Sequence, residues 1–92
     1  MIAPAAAIRP APEVLWRRVP DGFMLLGAGH DDPLLLSGTG ADLWELLGAG
    51  STFEGLIGEL AGRYGTDPSR ISSDVEEAVR RLVLADIVRL GA

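Results

Sequence analysis

Apolar runs and breakers alternate along the chain, and their spacing predicts its elements. From Met1 to Pro12, alanines surround Pro4, Pro10 and Pro12. This texture reads as a mobile extension over residues 1–12, ahead of a folded domain over 13–92. Val14-Leu15-Trp16-Arg17-Arg18-Val19 has the β-branched and aromatic content of a strand. Pro20-Asp21-Gly22 then makes a turn, because proline fixes φ, aspartate caps locally and glycine accepts positive φ. Phe23-Met24-Leu25-Leu26 returns as the second strand of a hairpin. After the loop Gly27–Pro33, Leu34-Leu35-Leu36 stands between Pro33 and Gly38. That run is too short for a helix, so it is expected as a third strand, and a proline at its start suits a sheet edge.

The remainder has helical periodicity. Thr39–Leu47 places Leu43, Trp44, Leu46 and Leu47 on one face, with Ser37 or Thr39 as the expected cap and Gly48-Ala49-Gly50 as the stop. Ser51-Thr52-Phe53-Glu54 has the form of a capping box, a hydroxyl with a glutamate three residues later. The helix it opens carries Leu56, Ile57, Leu60 and Tyr64 and ends at Gly65. Asp67-Pro68 is an N-cap followed by proline at the first helical position. The third helix runs to about Ala85, with an apolar stripe of Ile71, Val75, Ala78 and Leu82 broadened by Val79 and Val83. Glu76–Arg80 and Glu77–Arg81 are expected i,i+4 ion pairs. Ile87–Leu90 closes the chain as an extended segment. The fold class is therefore α+β and winged helix-turn-helix-like: a three-stranded antiparallel sheet followed by three helices (βββααα), with a short C-terminal extended segment.

Composition narrows the chemistry. Ninety-two residues, 48% of them apolar, make one small domain that has no room for a deep catalytic cavity. There is no cysteine, which excludes disulfides, thiolate nucleophiles and cysteine-ligated zinc. All eight basic residues are arginine, so a phosphate loop with its lysine and a lysine Schiff base are excluded as well. A net charge of −5 works against nucleic acid and against anionic membrane surfaces. No apolar run approaches the ~20 residues that span a bilayer, and the N-terminus lacks the parts of a signal peptide. The expected protein is soluble and cytoplasmic.

His30 with Asp31 and Asp32 lacks the ligand geometry of a metal site and is expected as a solvated loop. No serine stands in a nucleophile-elbow motif, and no cleft is large enough for a carboxylate pair, so no enzyme activity, cofactor or metal is expected. Gly38-Thr39-Gly40 lacks the third glycine of a dinucleotide loop, since that position is Leu43. Trp44 is assigned to the core, and Trp16 to the core in preference to a surface anchor. The second and third helices have helix-turn-helix form, which makes a winged-helix DNA-binding regulator the alternative function. Against it, the third helix offers Asp74, Glu76 and Glu77 where phosphates and base edges would have to be met. The third strand is instead suited to templating an added peptide strand, although its leucines fill a core equally well on pattern alone.

The stretch Leu36-Ser37-Gly38-Thr39-Gly40-Ala41-Asp42-Leu43-Trp44-Glu45-Leu46-Leu47 resembles the signature of the PqqD-like family. The likeness continues through Gly50-Ser51-Thr52-Phe53-Glu54-Gly55-Leu56-Ile57, Leu60 to Tyr64, Asp74-Val75 and Leu82 to Val88, and spans roughly Val14 to Leu90. Two positions depart from the pattern. Ser37 replaces the usual asparagine, and Asp86 stands where glycine usually ends the third helix in a left-handed conformation.

The resemblance implies a RiPP recognition element, a small domain that binds the leader segment of a ribosomally made precursor peptide. By it, the leader adds as a strand to Leu34, Leu35 and Leu36 and lies against the third helix at Asp74, Val75, Ala78, Arg81 and Leu82. It also implies delivery to a leader peptidase or a radical SAM modifying enzyme. The domain ends with the chain, so a stand-alone member is expected. A lasso-type pathway is favoured over a pyrroloquinoline-quinone-type one. The expected state is a monomer whose free strand edge offers a route to a dimer.

Overall fold

The computed structural model describes residues 2–48 and 50–91. Six strands and three helices follow one another as β1 (Ala7–Pro10), β2 (Leu15–Val19), β3 (Gly22–Leu26), β4 (Leu34–Leu36), α1 (Thr39–Leu47), β5 (Ser51–Thr52), α2 (Phe53–Tyr64), α3 (Pro68–Leu84) and β6 (Val88–Gly91). They form two antiparallel three-stranded sheets, β2-β3-β4 and β5-β1-β6, where the sequence predicts one sheet.

The second sheet corrects the reading of the N-terminus. Residues 1–12 were expected as a mobile extension, yet β1 lies in the middle of that sheet and Ile8 is fully buried. Ile8 pairs with Ser51 on one side and with Leu90 on the other. Pro10 fits because it ends the strand, where a missing N–H costs little. The expected C-terminal extended segment becomes β6, the partner of β1.

The predicted hairpin forms as β2 and β3, with Trp16 opposite Leu25 and Arg18 opposite Phe23. Adding β4 sets Phe23 opposite Leu36 and Leu25 opposite Leu34. Cross-strand partners share a face, so Phe23, Leu25, Leu34 and Leu36 turn toward the helices. Phe23 and Leu25 are buried, and Leu34 and Leu36 are partly buried against the core. Leu35 points the other way and is 49% exposed. Trp16 is not a core residue, being 55% exposed. It stands edge-on to Phe23 and Trp44 at 5.8 and 6.0 Å on the outer strand of the hairpin.

The helices supply the other half of the core. Leu43, Trp44 and Leu47 of α1, Leu56 and Leu60 of α2, and Val75, Val79 and Leu82 of α3 are buried together with Ile8, Ile87 and Val88. The cap of α1 differs from expectation: Gly38 caps it with φ +57 and no side-chain bond, so neither Ser37 nor Thr39 serves. Asp67 is the N-cap of α3 with Pro68 in its first turn, as expected, and its side chain makes no capping bond. The predicted capping box does not form: Thr52, not Ser51, caps α2, its Oγ1 accepting from Gly55 N at 3.0 Å, and Gly55 has no side chain to return the bond. α1 stops ahead of Gly48, and Ala49 of the predicted stop lies outside the described residues.

The end of α3 follows the departure noted in the sequence. Asp86 adopts φ +57, its N–H donates to the Val83 carbonyl at 3.0 Å, and the Ile87 N–H reaches back to Leu82 at 2.9 Å. These are the two bonds of a Schellman motif, built here on an aspartate in place of glycine.

Candidate functional site

Between β4 and α3 runs a groove of about 860 Å³. One wall is a sheet edge. Among the described residues β4 pairs with β3 alone, so the backbone groups of its other edge are open. The opposite wall is the broad apolar face of α3, which is too wide to be covered on one side. Val75, Val79 and Leu82 face the core, whereas Ile71 and Ala78 are half-buried and turn toward the groove. A stripe that needed only one partner would have left a narrower apolar band.

All eight residues singled out from the sequence line this groove: Leu34, Leu35 and Leu36 on the strand, and Asp74, Val75, Ala78, Arg81 and Leu82 on the helix. Their burial grades across it. Val75 and Leu82 make the buried floor, Leu34, Leu36 and Ala78 are half-buried, and Leu35, Asp74 and Arg81 form an exposed rim. Tyr64, Ile71, His30 and Leu84 also line it and were not singled out. Tyr64 and Ile71 were within reach, since both belonged to predicted apolar stripes. His30 and Leu84 carried no local signal, because only the tertiary fold brings the loop and the helix end together.

The helix runs antiparallel to the strand. At the Leu34 end, His30 Nε2 lies 2.9 Å from Asp86 Oδ2, joining the loop before β4 to the end of α3. At the Leu36 end, the Tyr64 hydroxyl donates to Asp42, and Arg63 Nη1 lies 3.4 Å from the same carboxylate. Both ends of the groove are thus bounded by polar pairs. His30 meets Asp86, not its neighbours Asp31 and Asp32, and among the described residues no three His, Cys, Asp or Glu side chains gather as a metal would need.

Arg80 pairs with Glu76 at 3.3 Å, as the i,i+4 spacing predicts. The companion pair does not form: among the described residues Arg81 has no carboxylate within ion-pair distance, and its side chain faces the groove instead.

The phenol of Tyr64 is held above its ordinary value of 10.0, first by burial and then by its hydrogen bond to Asp42. Folding therefore favours the neutral phenol. The stability this gives is present in full below pH 10.0, and it is lost as pH rises through the higher folded value. Because the chain has a single tyrosine, absorbance of the phenolate reads this group alone. The titration midpoint is expected above 10.0 and should fall partway back in Asp42→Asn; a midpoint at or below 10.0 would show that this end of the groove is open.

The groove lies within the part of the chain that matches a known family. The family described as Coenzyme PQQ synthesis protein D (PqqD) matches residues 23–88, from the buried phenylalanine of β3 to the start of β6. The chain belongs to the PqqD family. Its fold is similar to the solution NMR structure of the PqqD truncation of Methylobacterium extorquens PqqCD, described as a functional and stand-alone ribosomally synthesized and post-translational modified (RiPP) recognition element. The TM-score is 0.76 at 16% identity, over 97% of this chain and 95% of that one. No curated protein matches the chain. No helix among the described residues is long and apolar enough to cross a membrane.

Proposed function

We propose that this protein is a non-catalytic RiPP recognition element. It binds the leader segment of a ribosomally synthesised precursor as a strand added to β4 against α3, and delivers it to a modifying enzyme or leader peptidase. The observation that carries this reading is the open edge of β4 standing beside an apolar helix face that the fold leaves partly uncovered. Such an edge offers main-chain hydrogen bonds for affinity, and the half-buried positions Leu34, Leu36 and Ala78 offer sites for alternate side chains. The domain is acidic, with a net charge of −5, which supports a peptide partner over DNA. Of the pathways that use such a domain we favour a lasso-type one, on the arginine-rich, lysine-free composition that suggests a GC-rich genome.

Fluorescence polarisation with labelled leader segments encoded beside the gene tests this. Submicromolar binding to one leader and not to its scrambled form is expected. Ala78→Arg projects a charged side chain into the groove from an otherwise tolerant helix position. It should keep the far-UV spectrum and weaken binding at least tenfold, about 1.4 kcal/mol. Undiminished binding in that variant would move the site elsewhere. Tight binding to a DNA duplex at physiological salt, with no leader bound, would replace the reading with a regulator.

A further inference from the structure

The peptide-groove reading, if correct, leaves open which strand the groove selects. Asp74 and Arg81 both line it, both are exposed, and among the described residues neither has an ion-pair partner. They stand on the same side of α3, and the residues between them on that side are apolar: Val75 and Ala78, with Leu82 beyond. A seven-residue separation on a helix is about 10.5 Å along the axis. In an extended strand, side chains on one face recur every two residues, about 6.7 Å, so positions i and i+4 are about 13 Å apart. Flexible charged side chains at i and i+4 therefore bracket the Asp74–Arg81 spacing, and the residue at i+2 falls over the apolar floor.

The fold also gives the order of the two charges. His30 on Asp86 and Gly27 against Ala85 place the C-terminal end of α3 beside Leu34. Leu36 packs beside Gly40 near Tyr64 and Asp42, at the end where α3 begins. Asp74 is thus nearer Leu36, and Arg81 nearer Leu34. Every strand pair among the described residues is antiparallel, and antiparallel pairing is the more stable per residue. A strand added antiparallel to β4 enters beside Leu36 and leaves beside Leu34.

We infer that the groove selects extended peptides carrying a basic residue, an apolar residue and an acidic residue at positions i, i+2 and i+4, in that order from N- to C-terminus. The base faces Asp74, the apolar side chain seats over Val75 and Ala78, and the acid faces Arg81. The same charges in reverse order place like on like at both ends.

Two synthetic peptides test this, identical except that Lys-Thr-Leu-Thr-Glu in one becomes Glu-Thr-Leu-Thr-Lys in the other, each flanked by serines and glycines. NMR titration of the ¹⁵N-labelled full chain reads weak binding and locates it. The base-first peptide should shift the amides of Leu34 to Leu36 and Ala78, and bind roughly tenfold tighter at low salt. High salt should narrow that difference. In the double variant Asp74→Arg, Arg81→Asp, whose two positions are exposed, the preference should invert. Equal binding of both peptides at the groove overturns the charge order and leaves the peptide-groove reading standing. So does silence from both peptides when leader segments encoded beside the gene still shift these amides. If no peptide shifts them, both the order and the underlying reading fall.

Discussion

Gly27→Ala is expected to lower stability by about 3 kcal/mol and to abolish peptide binding with it. A Cβ built at Gly27 would stand 1.9 Å from the Ala85 carbonyl oxygen and 3.1 Å from the carbonyl carbons of Ala85 and Asp86. All three are backbone atoms, so no side chain can swing aside. Ala85 and Asp86 belong to the hydrogen-bonded end of α3, where Asp86 already holds a left-handed conformation that resists further adjustment. The Gly27 carbonyl in turn accepts from His30 N at 3.1 Å, and the His30 ring reaches Asp86. This is where the sheet edge and the helix meet, so a wedge there either separates the two walls of the groove or unfolds the end of α3. Overpacking of this kind costs 1–3 kcal/mol when neighbours yield and more when they do not. For a domain of this size, about 3 kcal/mol is a fall of roughly 12–24 °C in Tm. Gly58→Ala is the matched control, because a Cβ there meets nothing within 4 Å and α2 gains helix propensity. A Gly27→Ala protein that melts like wild type and binds leader peptide normally would show that the walls are not held together at this point.

The two walls of the groove were legible for different reasons. Leu34 to Leu36 announces a strand because breakers bound it on both sides, and α3 announces itself through an apolar stripe, a proline at its first position and i,i+4 charges. That the strand and the helix face each other came from the family resemblance, since nothing local relates Leu35 to Ala78. Which leucine of the run is exposed depends on register against β3, and only the pairing of Leu35 with Met24 decides it. Charge pairing was half legible: Glu76–Arg80 forms on the flank of α3, whereas Arg81 turns to the groove in place of Glu77. Trp16 was placed in the core because strand alternation reports a face and not whether anything covers it. At the outer strand of a small sheet the cover runs out, leaving the ring half in water against Phe23 and Trp44.

The N-terminus shows where local pattern fails most, and it sets the second large effect. Residues 1–12 have the alanine and proline content of an extension, so their deletion would be harmless on composition alone. The structure predicts instead that the deletion mutant does not fold. It removes the central strand of the β5-β1-β6 sheet and three buried apolar side chains, Ile2, Ile8 and Ala11. It also uncaps α2: the Phe53 and Glu54 N–H groups donate to the Ala6 and Pro4 carbonyls at 3.0 and 2.9 Å, and the first turn of a helix has no internal partners for them. The partners of β1 lie in the middle and at the far end of the chain, with Ile8 opposite Ser51 and Leu90. No window of local sequence contains that pairing. Against a total stability of about 5–14 kcal/mol for a domain this long, losing a central strand and two helix-capping bonds exceeds what remains. Ile8→Ala is the graded form of the experiment. Its side chain is wholly buried, so a cavity in place of the lost methylenes should cost about 2–5 kcal/mol by denaturant unfolding, with m unchanged. Ala5→Ser, at an exposed position of the same segment, should cost nothing measurable. A deletion mutant with wild-type unfolding would return residues 1–12 to the mobile extension their composition suggests, and would leave β6 to hold the end of the chain without a central partner.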